Sequence, residues 1–154
     1  MVNADLLKGL APEEAERVLA LGKRTLLTTG AELFHLGDIA DCIYLVTRGR
    51  LRLTLPMQVR NREEDVFVEE HSRGETVGWS ALIPPYRFTL TATAALETEV
   101  LAIPREALHA YCSAHPDTGY ALSFNLSCVI GQRLQVFQAM WLREIQRMVE
   151  LRCA

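Results

Sequence analysis

Hydrophobic and polar positions follow three rhythms along the chain. Residues 3 to 22 read as a helix. Pro12 suits a first-turn position, Glu13, Glu14 and Glu16 favour a helix N-terminus, and Val18, Leu19 and Leu21 supply an apolar face. Gly22 then offers a C-terminal stop.

From Arg24 the rhythm shortens. Leu26-Leu27, Leu33-Phe34 and Ile43-Tyr44-Leu45-Val46 are brief apolar runs cut by Gly30, Gly37 and Gly49. Arg50 to Leu55 alternates strictly, with leucines on one face and polar residues on the other. Gln58 to Asp65 has the polar character of a hairpin turn, and Val66-Phe67-Val68 resumes a strand. Thr89 to Ala94 and Glu99 to Ile103 read as two more strands. Closely spaced turns of this kind predict a sandwich or barrel of short strands.

The third rhythm begins at Pro104, which starts a helix with Glu106 just inside it. Pro116-Asp117 starts another, with no proline from there to Cys153. Leu126, Ile130, Leu134, Phe137, Trp141, Ile145 and Met148 recur every three or four residues, a helical stripe several turns long. Leu142, Val149 and Leu151 add apolar surface beside it. Such a stripe exceeds what one small domain can cover, so paired C-terminal helices in a two-fold homodimer are expected. The alternative is a helix folded back on the sheet.

Between the strands, Arg73 to Thr89 cannot itself be a strand. Gly74 and Gly78 open unusual backbone geometry, and Pro84-Pro85 removes two amide donors. Thr76 to Leu82 suits one short helical turn, whose free amides attract anions. Glu75 and Arg87 flank it with opposite charges. An acid for hydroxyls, a cation for an anion and exposed amides together suit a small-molecule cradle. They equally suit an ordinary Gly/Pro loop with a solvated Glu and Arg.

Composition narrows the classes. The chain has 154 residues, 49% hydrophobic and 23% charged, which fits a single folded domain with a real core. A net charge of -3 and a pI near 5.8 argue against a nucleic-acid-binding surface. No apolar run approaches the roughly 20 residues of a membrane span, and no signal peptide is evident. Cys42, Cys112, Cys128 and Cys153 are widely spread, without Cys-x-x-Cys or zinc-like spacing to His35, His71, His109 or His115. They read as buried or surface thiols in a reducing cytoplasm, with a redox role at Cys42 or Cys153 as the alternative.

The order of helix, about eight strands, Gly-Glu loop and long helix resembles the cyclic nucleotide-binding domain of the catabolite activator and FNR-type regulators. Phe34-His35-Leu36-Gly37-Asp38, Ile43 through Leu53, Gly74-Glu75, the strands after Arg87 and Arg133-Leu134-Gln135-Val136 carry the resemblance, which covers nearly the whole chain. It implies a mainly β fold with α: a jelly-roll, cupin-like double-stranded β-helix barrel of about eight strands over residues 24–103. An N-terminal helix precedes the barrel, and helices over 104–153, including a long dimerisation helix, follow it.

The resemblance also implies a phosphate-binding cassette. Glu75 accepts from a ribose hydroxyl, Gly74, Thr76 and Val77 contribute backbone, and Arg87 offers its donor fork to a cyclic phosphate. Two positions depart from that pattern. Phe88 follows the Arg where the family has a small, often hydroxyl-bearing residue, with Thr89 one further on. Phe137 and Gln138 stand where cAMP-responsive relatives carry adenine-contacting hydroxyls on the long helix.

The expected function is therefore a ligand-sensing regulatory module that binds a cAMP- or cGMP-like nucleotide and signals through the helix pair. The alternative is a degenerate domain that takes another small effector or none, its cavity filled by Trp79, Phe88 and Phe137. The chain stops soon after the long helix, so no DNA-reading element and no direct nucleic-acid contact are expected. A metal-dependent cupin enzyme would need clustered His and Glu ligands. His35 and His71 lie on different segments without His-x-His, and His71 reads as a surface residue. No catalytic residue, metal or cofactor is expected beyond a possible nucleotide ligand.

Overall fold

The computed structural model describes residues 4–153. Helix breakers divide the N-terminal segment, so the continuous helix expected over 3 to 22 is not formed; Asn3 lies outside the described residues. Asp5–Leu7 makes a 3-10 turn, Gly9 reverses the chain at φ +80°, and α1 runs only from Pro12–Leu19. Ala11, constrained by the following proline, is extended at φ −59° and ψ 144°, and Pro12 takes the first helical position.

Among the described residues eight strands follow: β1 (Lys23–Leu27), β2 (Glu32–Phe34), β3 (Cys42–Arg48), β4 (Arg50–Val59), β5 (Arg62–Ser72), β6 (Thr76–Val77), β7 (Thr91–Ala94) and β8 (Thr98–Pro104). They form two antiparallel sheets with the orders β1-β8-β3-β6 and β2-β7-β4-β5. A closed barrel is not seen among the described residues: β1 and β6 edge one sheet, β2 and β5 the other. The observed architecture is thus mainly β, with two sheets and a long C-terminal helix.

The alternation in β4 works as its pattern implies. Leu51 and Leu53 point into the core, while Arg50 and Arg52 reach outward to Glu70 of β5. Ile43, Val46, Leu51 and Val100 are completely or almost completely buried between the sheets, each worth about 1.5–3 kcal/mol of transfer free energy. The β4–β5 hairpin is longer than its polar sequence suggests. Its reversal needs only Arg60 and Asn61, at φ 49° and 63°, so both strands run through the charged stretch.

The helices α2 (Arg105–Ala114) and α3 (Pro116–Cys153) close the chain. The first turns of α3 are fastened to the domain. Leu122, Leu126 and Val129 are buried, and the Asn125 side-chain amide donates to the Leu6 and Lys8 carbonyls at 2.8 Å each. Glu14 of α1 accepts from the Tyr111 hydroxyl at 2.7 Å and the Thr118 hydroxyl at 2.6 Å, tying α1 to both helices. Beyond Arg133 the helix leaves the domain and is exposed, so it does not fold back on the sheet.

Candidate ligand cleft and helix seam

The cassette runs through β6 and turns where that strand ends. Gly78 lies in the left-handed region at φ +78°, and a Cβ there would sit 3.1 Å from both Phe88 and Tyr44. A glycine is therefore demanded both by the turn and by the rings behind it. The helical turn expected over Thr76 to Leu82 is shorter: Thr76 and Val77 pair with β3, and the 3-10 turn covers Trp79–Leu82. Pro84-Pro85 and Tyr86, at φ 58°, carry the chain to Arg87.

Beneath the turn lies a cleft of only about 20 Å³, bordered by Phe34, Val77, Trp79, Phe88, Glu69 and Arg133. That is room for about one water, against the several hundred Å³ of ordinary small-molecule sites. The Phe88 ring takes up the space: it is buried and stacks on Phe34 with centroids 3.8 Å apart and planes 11° from parallel. Tyr44 completes the aromatic cluster, its centroid 6.4 Å from that of Phe88. Burial, with charge at Cys42 and Asp41, pushes the Tyr44 phenol up to about 12.

Of the residues expected in a nucleotide site, Val77, Phe88 and Thr89 line this cleft, and Thr76 backs it. Gly74 is buried and donates its N–H to the Val46 carbonyl. Glu75 is turned elsewhere: its carboxylate accepts from the Ser72 amide at 2.6 Å and hydroxyl at 2.9 Å. Arg87 is exposed and donates to the Gly37 carbonyl at 2.7 Å. Phe137 and Gln138 lie on the exposed part of α3, away from the cleft of their own chain.

The cation that reaches the cleft is Arg133 of α3, beside the carboxylate of Glu69. Its side chain is 12% exposed; it donates to the Thr76 carbonyl and lies 3.9 Å from Glu69. Burial pulls its guanidinium down from its ordinary value, opposed by Glu69, Asp5 and Glu75. Asp5 holds the other side of Thr76, accepting its amide at 3.1 Å and its hydroxyl. Burial by itself would raise the Glu69 carboxyl; the adjacent His71 imidazole and Arg133 outweigh it and hold Glu69 below the usual glutamate range.

His71 is not a surface residue. It is buried with Nε2 3.1 Å from Glu69 and Nδ1 3.4 Å from Glu75, approaches that lack hydrogen-bond angles. It pairs with Leu51, which faces the core, and so shares that inward face; the bulge between Leu53 and Thr54 shifts the pairing only further along β5. Among the described residues, no group of three or more His, Cys, Asp or Glu is placed to hold a metal. Cys42 is half-buried, and burial plus Asp41 raises its thiol, the opposite of an activated cysteine.

The apolar stripe of α3 divides in two. Leu126 packs into the core and Ile130 against it. A second row runs along the far side: Tyr120, Phe124, Ser127, Gly131, Leu134, Gln138, Trp141, Ile145 and Met148, in alternating steps of four and three. Tyr120, Phe124, Leu134 and Trp141 are each more than half exposed, and a Cβ at Gly131 would meet nothing within 4 Å. This spacing is a heptad seam. Its first half was hidden from the sequence reading because Leu126 and Ile130 share the same periodicity.

The family model described as "Cyclic nucleotide-binding domain" matches residues 24–115. The Cyclic AMP receptor protein of Thermus thermophilus is 30% identical over 135 residues, 88% of this chain and 59% of that protein. The crystal structure of Thermus thermophilus Catabolite Activator Protein superposes with a TM-score of 0.78 at 27% identity, over 93% of this chain and 63% of that one. Lysophospholipase nte1 of Aspergillus oryzae is 29% identical over 109 residues, 71% of this chain but 7% of that enzyme.

The chain belongs to the cyclic nucleotide-binding domain family, of the type found in catabolite activator and FNR-like regulators. It spans about three fifths of the length of the Thermus regulator it matches. No helix among the described residues is long and apolar enough to cross a membrane.

Proposed function

We propose that this domain is a regulatory module of the cyclic nucleotide-binding family whose cassette pocket is filled from within, and which works as a homodimer through α3. The observation that carries this reading is the cleft of about 20 Å³ under the stacked Phe88 and Phe34. Phe88 and Trp79 border that cleft, and Arg133 occupies the backbone acceptor at Thr76. In this reading the module acts in the cytoplasm as a regulatory unit rather than a catalytic one. A change at the cassette passes to the helix pair through Arg133, since one side chain joins the two.

The second reading is cyclic nucleotide binding in the family's manner, favoured by the match to the family model and by a relative named as a cyclic AMP receptor. It requires Phe88 to leave the core and Glu75, Arg87, Phe137 and Gln138 to converge. Isothermal titration of the purified protein with cAMP and cGMP, with AMP as control, separates the readings. No saturable heat with any of them is the expected outcome. Saturable binding of a cyclic nucleotide but not AMP would overturn the filled-pocket reading and make Glu75 and Arg87 the residues to substitute.

A further inference from the structure

A second, much larger cleft of about 590 Å³ lies beside the cassette turn, between α2 and α3. That volume falls within the range of small-molecule sites. One face of α2 lines it through Arg105, Leu108, His109 and Cys112, spaced as a single helical stripe. From α3 come Leu122, Ser123, Leu126 and Ile130, and the cassette loop adds Ile83 and Tyr86. The helices meet at one end, where a Cβ on Gly119 would sit 3.1 Å from that of Cys112. The walls are mostly apolar; the charged and titratable groups lie on α2, and α3 adds the hydroxyls of Ser123 and Ser127.

Arg105 is held in place rather than free to swing. One of its terminal nitrogens donates to the Ala40 carbonyl at 3.1 Å, and its guanidinium lies over the Tyr86 ring at 4.5 Å. Its remaining N–H donors, and the ring nitrogens of His109, have no partner among the described residues. Glu106 also borders the cleft but forms no ion pair with Arg105, so the guanidinium keeps free donors for one anionic group, while the nearby carboxylate disfavours a second.

We propose that the α2–α3 cleft is a binding site for a monoanionic amphiphile: an apolar or aromatic body along Leu108, Leu122, Leu126 and Ile130, with one carboxylate at Arg105. A carboxylate accepts the guanidinium's donor fork, and a pre-positioned arginine loses little freedom in making the bond. The site touches both ends of the regulatory path. Ile83 and Tyr86 belong to the cassette loop, and Ile130 is three residues from Arg133. It stands independently of whether the cassette takes a nucleotide.

The test is a fluorescence titration of the full chain with anilinonaphthalene sulfonate, followed by displacement with decanoate and with decanol. The expected result is saturable enhancement, displaced by decanoate at concentrations about tenfold lower than decanol, the contribution of one charge-assisted bond. Arg105→Gln should abolish that preference. Ser123→Phe, at an exposed position on the cleft wall, should fill the site and remove the signal with the melting transition retained. Equal displacement by acid and alcohol, a signal unchanged in Ser123→Phe, or a signal lost as the chain self-associates would each overturn the proposal.

Discussion

Phe88 lies flat on Phe34, 3.8 Å between ring centroids, beneath the cassette turn. The pair fastens the loop after Pro84-Pro85 to β2, and its removal is the most direct probe of the domain. Phe88→Ala should lower unfolding free energy by about 3–5 kcal/mol, the usual cost of deleting a buried phenyl ring. Chemical denaturation reads this directly. A loss below about 1 kcal/mol would mean that the ring is not packed as described.

Among the described residues, Arg133 is the long-helix side chain that bonds to the cassette backbone. Arg133→Met keeps the length of the stem but leaves the Thr76 carbonyl and Glu69 without their cation. The expected loss is about 1–3 kcal/mol, with α3 amides around it exchanging faster. Hydrogen exchange that is unchanged from Leu126 to Phe137 would show that Arg133 does not couple helix to cassette.

Acid should weaken the fold through two carboxylates. Hydrogen bonds from Thr118 and Tyr111 lower Glu14, while His71 and Arg133 overcome burial to lower Glu69. A group that binds its proton less tightly when folded contributes stability above its unfolded value, near pH 4.3 for glutamate, and loses it as pH falls through the folded value. Stability should therefore be flat above about pH 5 for these groups and decline on further acidification. Melting curves of Glu14→Gln and Glu69→Gln should show a shallower decline; an identical acid limb would remove both groups from the account.

The seam on α3 predicts self-association. Leu134→Glu combined with Trp141→Glu places charge on two exposed seam positions that make no core contact in the single chain. Sedimentation should show a dimer become a monomer with β-sheet circular dichroism retained. A double variant that still dimerises would move the interface off this row.

Much of the architecture was legible because local rules decide it. Leucine alternation in β4, prolines at helix starts and glycines between strands are satisfied within a few residues, so Arg50 to Leu55 and α2 read correctly. Long-range pairing was less legible. Gln58 to Asp65 is polar because both strands there are solvent-exposed, and only their pairing makes them strands. Arg133 stood within a recognised stretch of helix, yet nothing in its neighbours signals that it turns inward to Thr76.

The sequence by itself determined the order of helix, strands, cassette loop and long helix, and with it the family, since these depend on residue type and spacing. Tertiary structure alone decided what the cassette holds. Glu75 and Arg87 flank the loop in sequence but turn to Ser72 and Gly37, because exposed charged side chains take the nearest backbone partners. Phe88 turns inward, because a buried ring stacked on Phe34 outweighs an open space that water would have to fill.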